Sequence, residues 1–202
     1  GVDLSEESVG ITKLSLFLKL SVVEKKLSDL SKNIKVGNSI VDDKSIDSRA
    51  FNWNQEFNDV FQNGGFDIVI GNPPYVRHEL FSGIKNYLQK NFSTFHGGAD
   101  LYVYFIEKGI SLLKKNGIFS IIGSNKFSKI SYGKKIRNFL LCYDLEKFID
   151  FGDLPVFADA TTYPCIITVK NSQPDNYLFA CNVDTLNFPD LDTYLKNKLE
   201  KI

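Results

Sequence analysis

This sequence is poor in the residues that build metal and redox centres. It has two histidines, His78 and His96, too few for a histidine-based metal site. Its three cysteines, Cys142, Cys165 and Cys181, are widely spaced and fit no metal-ligand pattern, so they read as reduced thiols of a cytoplasmic protein. No apolar run approaches the ~20 residues that span a bilayer, and no signal-peptide pattern opens the chain. No membrane partner is expected. The formal net charge is zero, which by itself argues against a strong nucleic-acid binder.

What is present is a globular composition. The chain has 202 residues, 43% hydrophobic and 24% charged, enough for one domain with a sizeable core. The charge is unevenly spread. Between Arg77 and Lys147 there are twelve Lys/Arg against five Asp/Glu, a balance of +7, and the rest of the chain carries −7. That basic segment is either a surface for a phosphate backbone or a set of ordinary solvated helix faces.

The most informative stretch runs from Phe66 to Tyr75, Phe-Asp-Ile-Val-Ile-Gly-Asn-Pro-Pro-Tyr. Phe66 to Ile70 has the pattern of a buried strand inside a parallel sheet. Gly71 permits close approach of the backbone. Pro73 and Pro74 stop further pairing and remove two N–H donors while keeping their carbonyls. The expected product is a stiff tip that carries an amide, bare carbonyls and an aromatic ring at the carboxyl end of a strand, where open α/β sheets bind ligands.

This stretch resembles motif IV, the Asn-Pro-Pro-Tyr catalytic motif of S-adenosylmethionine-dependent amino-methyltransferases. The resemblance implies methylation of a planar amine or amide nitrogen. The lone pair of such a nitrogen is delocalised, so the Asn72 side-chain oxygen and the Pro73 carbonyl would hold its two protons and turn the lone pair toward the methyl group. Pro74 would keep the tip rigid, and Tyr75 would stack on the base.

Other segments extend the resemblance. Asp3 lies just before a helix start at Ser5-Glu6-Glu7, with Ser5 as N-cap and the acids in the first turn. The helix is expected to be largely buried to at least Leu20, on Val9, Ile11, Leu14, Leu16, Phe17 and Leu18. Asp3 resembles the motif II acid that binds the cofactor ribose. Asn33 to Ile40 reads as a short strand and a turn. Asn38 resembles the motif III residue that contacts the cofactor adenine, although its spacing alone suits a plain Gly-Asn turn. Residues 41 to 63 read as a loop and a short helix pinned by Phe51, Trp53, Phe57 and Phe61. A helix from about Asp100 to Lys115, the Asn116-Gly117 stop, the strand Ile118 to Gly123 and the Ser-Asn-Lys-Phe that follows resemble motifs V and VI. By that resemblance Phe105 lies against the cofactor adenine; by spacing alone it is a core aromatic. Tyr132 to Leu141 reads as a basic amphipathic helix and Leu145 to Phe151 as a strand. A long turn from Gly152 to Pro164 precedes the strand Cys165 to Val169. That turn resembles motif VIII, where an aromatic packs on a flipped adenine, and Phe157 matches it; without the resemblance Phe157 reads equally as an aromatic that anchors a long loop.

The resemblance implies a Rossmann-like methyltransferase: α/β, doubly wound, with a mostly parallel sheet and an antiparallel last strand. Motif I is missing, for no Gly-x-Gly occurs in the chain. The expectation is a partial catalytic domain over 1–170 that lacks its N-terminal strand, and a connector over 171–202 toward an absent target-recognition domain. Such a piece alone is expected to bind cofactor weakly or not at all. The implied activity is transfer of methyl from S-adenosylmethionine to the N6 amine of a flipped adenine in double-stranded DNA, within a restriction-modification system. Upstream nuclease and downstream specificity parts of the same polypeptide would be partners. Two other readings stay open: methylation of a protein glutamine or a ribosomal RNA guanine, and a non-catalytic scaffold.

Overall fold

The computed structural model describes residues 1–23, 30–157 and 163–202. The chain divides into two compact units, residues 1–58 and 59–202.

In the first unit, β1 (Val2–Asp3) leads into helix α1 (Glu6–Val23), and β2 (Lys35–Val36) pairs with β1 in parallel. The Ser8 N–H donates to Ser5 Oγ at 3.2 Å, so Ser5 caps the helix as its sequence implies. The burial expected of α1 is not found. Val9 is buried, but Ile11, Leu14, Leu16, Phe17 and Leu18 are exposed. The apolar residues occupy every side of the helix, so one packing surface can bury only a strip of them. After β2, helix α2 (Trp53–Glu56) closes an aromatic cluster. Trp53 stacks on Phe57 at 5.6 Å, and Phe51 meets Trp53 edge-on at 5.1 Å. These aromatics serve packing.

The second unit is a six-stranded mixed sheet. In chain order it contains α3 (Asn58–Gln62), β3 (Phe66–Gly71), α4 (Lys85–Asn91), α5 (Tyr102–Ser111), β4 (Leu113–Ser124), α6 (Lys126–Lys129), α7 (Lys134–Leu140), β5 (Asp144–Asp150), β6 (Pro164–Lys170), β7 (Phe179–Asn182), α8 (Leu191–Lys196) and β8 (Glu200–Lys201). The order across the sheet is β3-β4-β6-β5-β7-β8. β3, β4, β5 and β7 run one way, while β6 and β8 run against them.

Among the described residues β3 pairs with β4 alone. Its Ile68 and Ile70 are 65% and 78% exposed. An apolar run marks a strand with two apolar faces, but it carries no information on which neighbours arrive. Helix α5 ends at Ser111, and β4 begins at Leu113, earlier than expected. Asn116 takes a left-handed φ of 63° inside β4, where the register with β3 shifts, so the Asn-Gly pair makes a bulge instead of a helix stop. Residues beyond 171 do more than connect. β7 joins β5 in parallel, and α8 brings Leu195 onto a buried cluster with Ile149, Phe151, Cys181 and Val183. Part of the long turn expected between Gly152 and Pro164, residues 158–162, lies outside the described residues.

Strand alternation sorts the central residues onto two faces. Phe119, Ile121, Ile167 and Val169 share the face on which α5 packs; all four are buried. The approach is close: a side chain added at Gly109 of α5 would meet the Phe119 ring at 2.3 Å.

Candidate active site

The site is built at the carboxyl ends of the strands of the second unit. β3 delivers Gly71 and then Asn72, which is exposed, while Pro73 is buried and Pro74 exposed. A proline that is buried in the tip, followed by a second proline, holds Asn72 outward without any help from secondary structure. The Val76 N–H turns back to the Pro74 carbonyl at 3.0 Å, and no described backbone N–H uses the Pro73 carbonyl. The tip is anchored from below, because the Leu101 N–H donates to the Val76 carbonyl at 3.0 Å and the His78 N–H to Asp100 at 3.3 Å. A hollow of about 490 Å³ opens beside it, lined by Ile70, Gly71, Asn72, Ser120, Ile121, Ile122 and Ile166.

Tyr75 and Phe157, distant in sequence, come together. Their ring centroids are 5.9 Å apart with the planes at 64°, an edge-to-face contact of the kind aromatic pairs favour. The Tyr75 hydroxyl is enclosed without a hydrogen-bond partner among the described residues. Burial first, and the neighbouring Cys165 second, push its titration above the ordinary phenol range. The Cys165 thiol is pushed well above its ordinary value too, by burial and then by Asp150. Tyr75 and Cys165 are therefore both neutral near pH 7. Phe105 lies half-buried on α5 of the same unit.

The first unit holds the other two expected residues. Asp3 and Asn38 lie at the carboxyl ends of neighbouring parallel strands, and the Gly37 N–H donates to the Asp3 carbonyl at 2.9 Å. Asp3 Oδ1 accepts from the Ser5 N–H at 2.8 Å, and the carboxylate is exposed. Asn38 makes the turn that its spacing suggests: its Oδ1 accepts from the Ile40 N–H at 3.2 Å, and its Nδ2 donates to Asp47 at 2.8 Å. The Asn38 Nδ2 bond first, then that of the Arg49 N–H, holds the Asp47 carboxyl below the usual range.

Sequence reasoning missed Asp47, Asn125 and Asp150. Asn125 Nδ2 donates to Asp150 Oδ1 at 2.7 Å, and both residues are buried. The available signal was an acid inside the otherwise apolar Phe148-Ile149-Asp150-Phe151, since a buried carboxylate needs donors around it.

Comparison with known proteins now bears on this site. The sequence profile of the Eco57I restriction-modification methylase family matches residues 1–157. The type II methyltransferase M.BstVI of Geobacillus stearothermophilus is 41% identical over 114 residues, 54% of this chain and 20% of that protein. The type II restriction enzyme and methyltransferase RM.Eco57I of Escherichia coli is 34% identical over 160 residues, 76% of this chain and 16% of that protein. The chain thus spans a fifth or less of the length of these two relatives. Among solved structures, the type IIL restriction-modification enzyme MmeI in complex with DNA aligns with a TM-score of 0.66 at 15% identity, over 100% of this chain and 27% of that one. The M protein of the type I restriction enzyme EcoKI aligns with a TM-score of 0.55 at 15% identity, over 97% of this chain and 38% of that one. These likenesses show a Rossmann-like methyltransferase fold, and the profile covers most of the chain: it belongs to the Eco57I restriction-modification methylase family.

Proposed function

We propose that this chain is the methylase portion of a restriction-modification enzyme and that it methylates the N6 amine of an adenine turned out of double-stranded DNA. The observation that carries the reading is the pairing of an outward Asn72 on a proline-stiffened tip with two aromatic rings, Tyr75 and Phe157, 5.9 Å apart. A planar base has two faces and an edge. Two aromatic side chains offer it a stacking face and a wall, and the tip offers its amine two acceptors. A slender glutamine side chain needs no second aromatic. Extrusion is required because the N6 atom is not open to in-line attack inside the stack.

Asn72 Oδ1 and the Pro73 carbonyl accept hydrogen bonds from the two N6–H groups. This draws the nitrogen toward a tetrahedral shape and directs its lone pair. S-adenosylmethionine supplies the electrophilic methyl carbon when bound. With the cofactor bound, the two acceptors of the tip would keep the N6 lone pair aimed at that carbon, and the proton that N6 gives up would be left to solvent. With Tyr75 neutral, the tip contributes acceptors and stacking and takes no proton.

The residues of the first unit suit the cofactor chemically. Asp3 Oδ1 caps the turn at Ser5, and the exposed carboxylate offers Oδ2 to a ribose hydroxyl. Asn38 keeps one amide hydrogen and one lone pair beyond its turn bonds, the complement of an adenine edge. In the second unit, Phe105 is an aromatic of the kind that stacks on an adenine face. The sizes and names of the relatives further suggest nuclease and specificity parts elsewhere in the full protein.

The test is methyl transfer by the full-length native protein, with tritiated S-adenosylmethionine and unmethylated plasmid DNA, followed by digestion to nucleosides. Label is expected in N6-methyladenine and is expected to fall at least about 100-fold in Asn72→Ala, the scale seen when one oriented acceptor or donor is removed. Label in a protein glutamine or in ribosomal RNA, with none in DNA, would overturn the adenine reading. No label in any of them would favour a scaffold.

A further inference from the structure

A buried amide–carboxylate pair lies at the same edge of the sheet and has no part in the reading above. Asn125 follows β4 directly, and Asp150 ends β5; they are 3% and 7% exposed. Asp150 Oδ1 accepts from Asn125 Nδ2 at 2.7 Å and from the Gly152 N–H at 2.9 Å. Asp150 Oδ2 faces Lys129 Nζ at 3.7 Å. The Asn125 N–H donates to the Tyr163 carbonyl at 2.7 Å, and the Phe151 N–H to the Pro164 carbonyl at 3.0 Å. One carboxylate therefore joins the exits of β4 and β5, and both exits are tied to the entry of β6.

The chain leaves this node through Gly152, whose φ of 57° is a left-handed turn. Leu154 and Val156 then pack against the Ile149–Phe151 cluster, and Phe157 follows, with its ring against Tyr75. The node also borders Tyr75 through Cys165, a neighbour of both Asp150 and Tyr75. Burying a carboxylate costs several kcal/mol unless donors surround it, and an apolar residue of similar size would pack as well. What the carboxylate adds is direction. Two donors converging on one oxygen set the angle at which the chain enters the turn, and so where the aromatic five residues beyond Gly152 comes to rest.

We propose that Asp150, oriented by Asn125, is a positioning residue that sets Phe157 against Tyr75 and thereby fixes the aromatic wall against which the target base would rest. The proposal rests on the adenine reading above and deepens it. Neither residue touches the base.

The test compares Asp150→Asn, Asn125→Asp and the double exchange in the full-length native protein. Methyl transfer to plasmid DNA is normalised to cofactor-binding sites counted by equilibrium binding of S-adenosylmethionine. Asn125→Asp removes the donor and sets two carboxyl groups face to face. Its kcat is expected to fall on the order of 100-fold, the cost of roughly 1 Å of misplacement at a reacting centre, with KM for the cofactor within about twofold. Asp150→Asn keeps an oxygen for the Gly152 N–H and falls less. The double exchange restores one donor facing one acceptor, with the amide now on β5 and the carboxylate beside it, and is expected to recover kcat to within about fivefold of the unmutated protein. Recovery in the double variant supports positioning. A double variant as slow as Asn125→Asp, a single variant with full kcat, or a deficit that vanishes on normalisation overturns it. If the unmutated protein places no label in DNA, the adenine reading falls and this proposal falls with it; label in DNA with no rescue removes this proposal alone.

Discussion

The two faces of the large sheet are made of similar residues in different surroundings. One carries Phe119, Ile121, Ile167 and Val169, all buried, with α5 lying so close that Gly109 touches the Phe119 ring. The other carries Ile70, Ser120, Ile122, Ile166 and Thr168. Among the described residues its β5–β7 end is covered, where α8 meets Ile149 and Cys181. At the β3 end Ile70 is 78% exposed and borders the hollow beside Asn72. An Ile-Phe-Ser-Ile-Ile run reads the same from either side. The difference teaches that apolar alternation reports a capacity for burial, and that a second layer must arrive before the capacity is used.

Truncation of the covered face is expected to have the largest effect. Phe119→Ala is expected to cost about 3–5 kcal/mol in urea unfolding of this chain, while Ile70→Ala stays within about 0.5 kcal/mol. Equal costs would erase the distinction. Next in size is overpacking. Gly109→Ala places a methyl group into the Phe119 ring, and a loss of about 1–3 kcal/mol is expected; Gly10→Ala, with open space around it, serves as the control and should be neutral or stabilising.

A third prediction uses pH. The covered-face thiol of Cys165 titrates above its ordinary value because burial favours the neutral form. The folded state then holds a proton that the unfolded state releases. This stability is complete below the ordinary thiol value of about 8.5 and is lost as pH rises beyond it, at up to about 1.4 kcal/mol per pH unit. Unfolding measured from pH 7 to 10 should show the decline, and Cys165→Ala should flatten it. An unchanged slope would mean that the thiol is not held neutral. The smallest effect belongs to the open face. Ile68→Lys with Ile70→Lys should leave the melting temperature within about 2 °C and lower the fluorescence of a bound apolar dye; an unaltered dye signal would place the accessible apolar surface elsewhere, with the exposed helix α1 as the next place to look.

Some of this was legible in the amino-acid order and some was not. The tip Gly71-Asn72-Pro73-Pro74 was readable because glycine and proline act on their own backbone and their neighbours'. The cap at Ser5 and the aromatic cluster around Trp53 were readable for the same local reason. The exposure of α1, the bulge at Asn116 and the entry of β7 into the sheet were not. Each depends on which neighbour a segment meets, and no spacing within the segment encodes that.

What the sequence determined by itself is therefore the set of parts: strands and helices of an α/β chain, a proline-stiffened tip after β3, and an aromatic in the turn after β5. Tertiary structure alone decided their arrangement. It set β6 between β4 and β5, brought Phe157 to Tyr75, and joined Asn125 to Asp150 in one buried hydrogen bond. The reason is physical. Local conformation follows from sterics within a few residues, whereas a face is covered, or a charge satisfied, only by groups that the folded topology brings from far along the chain.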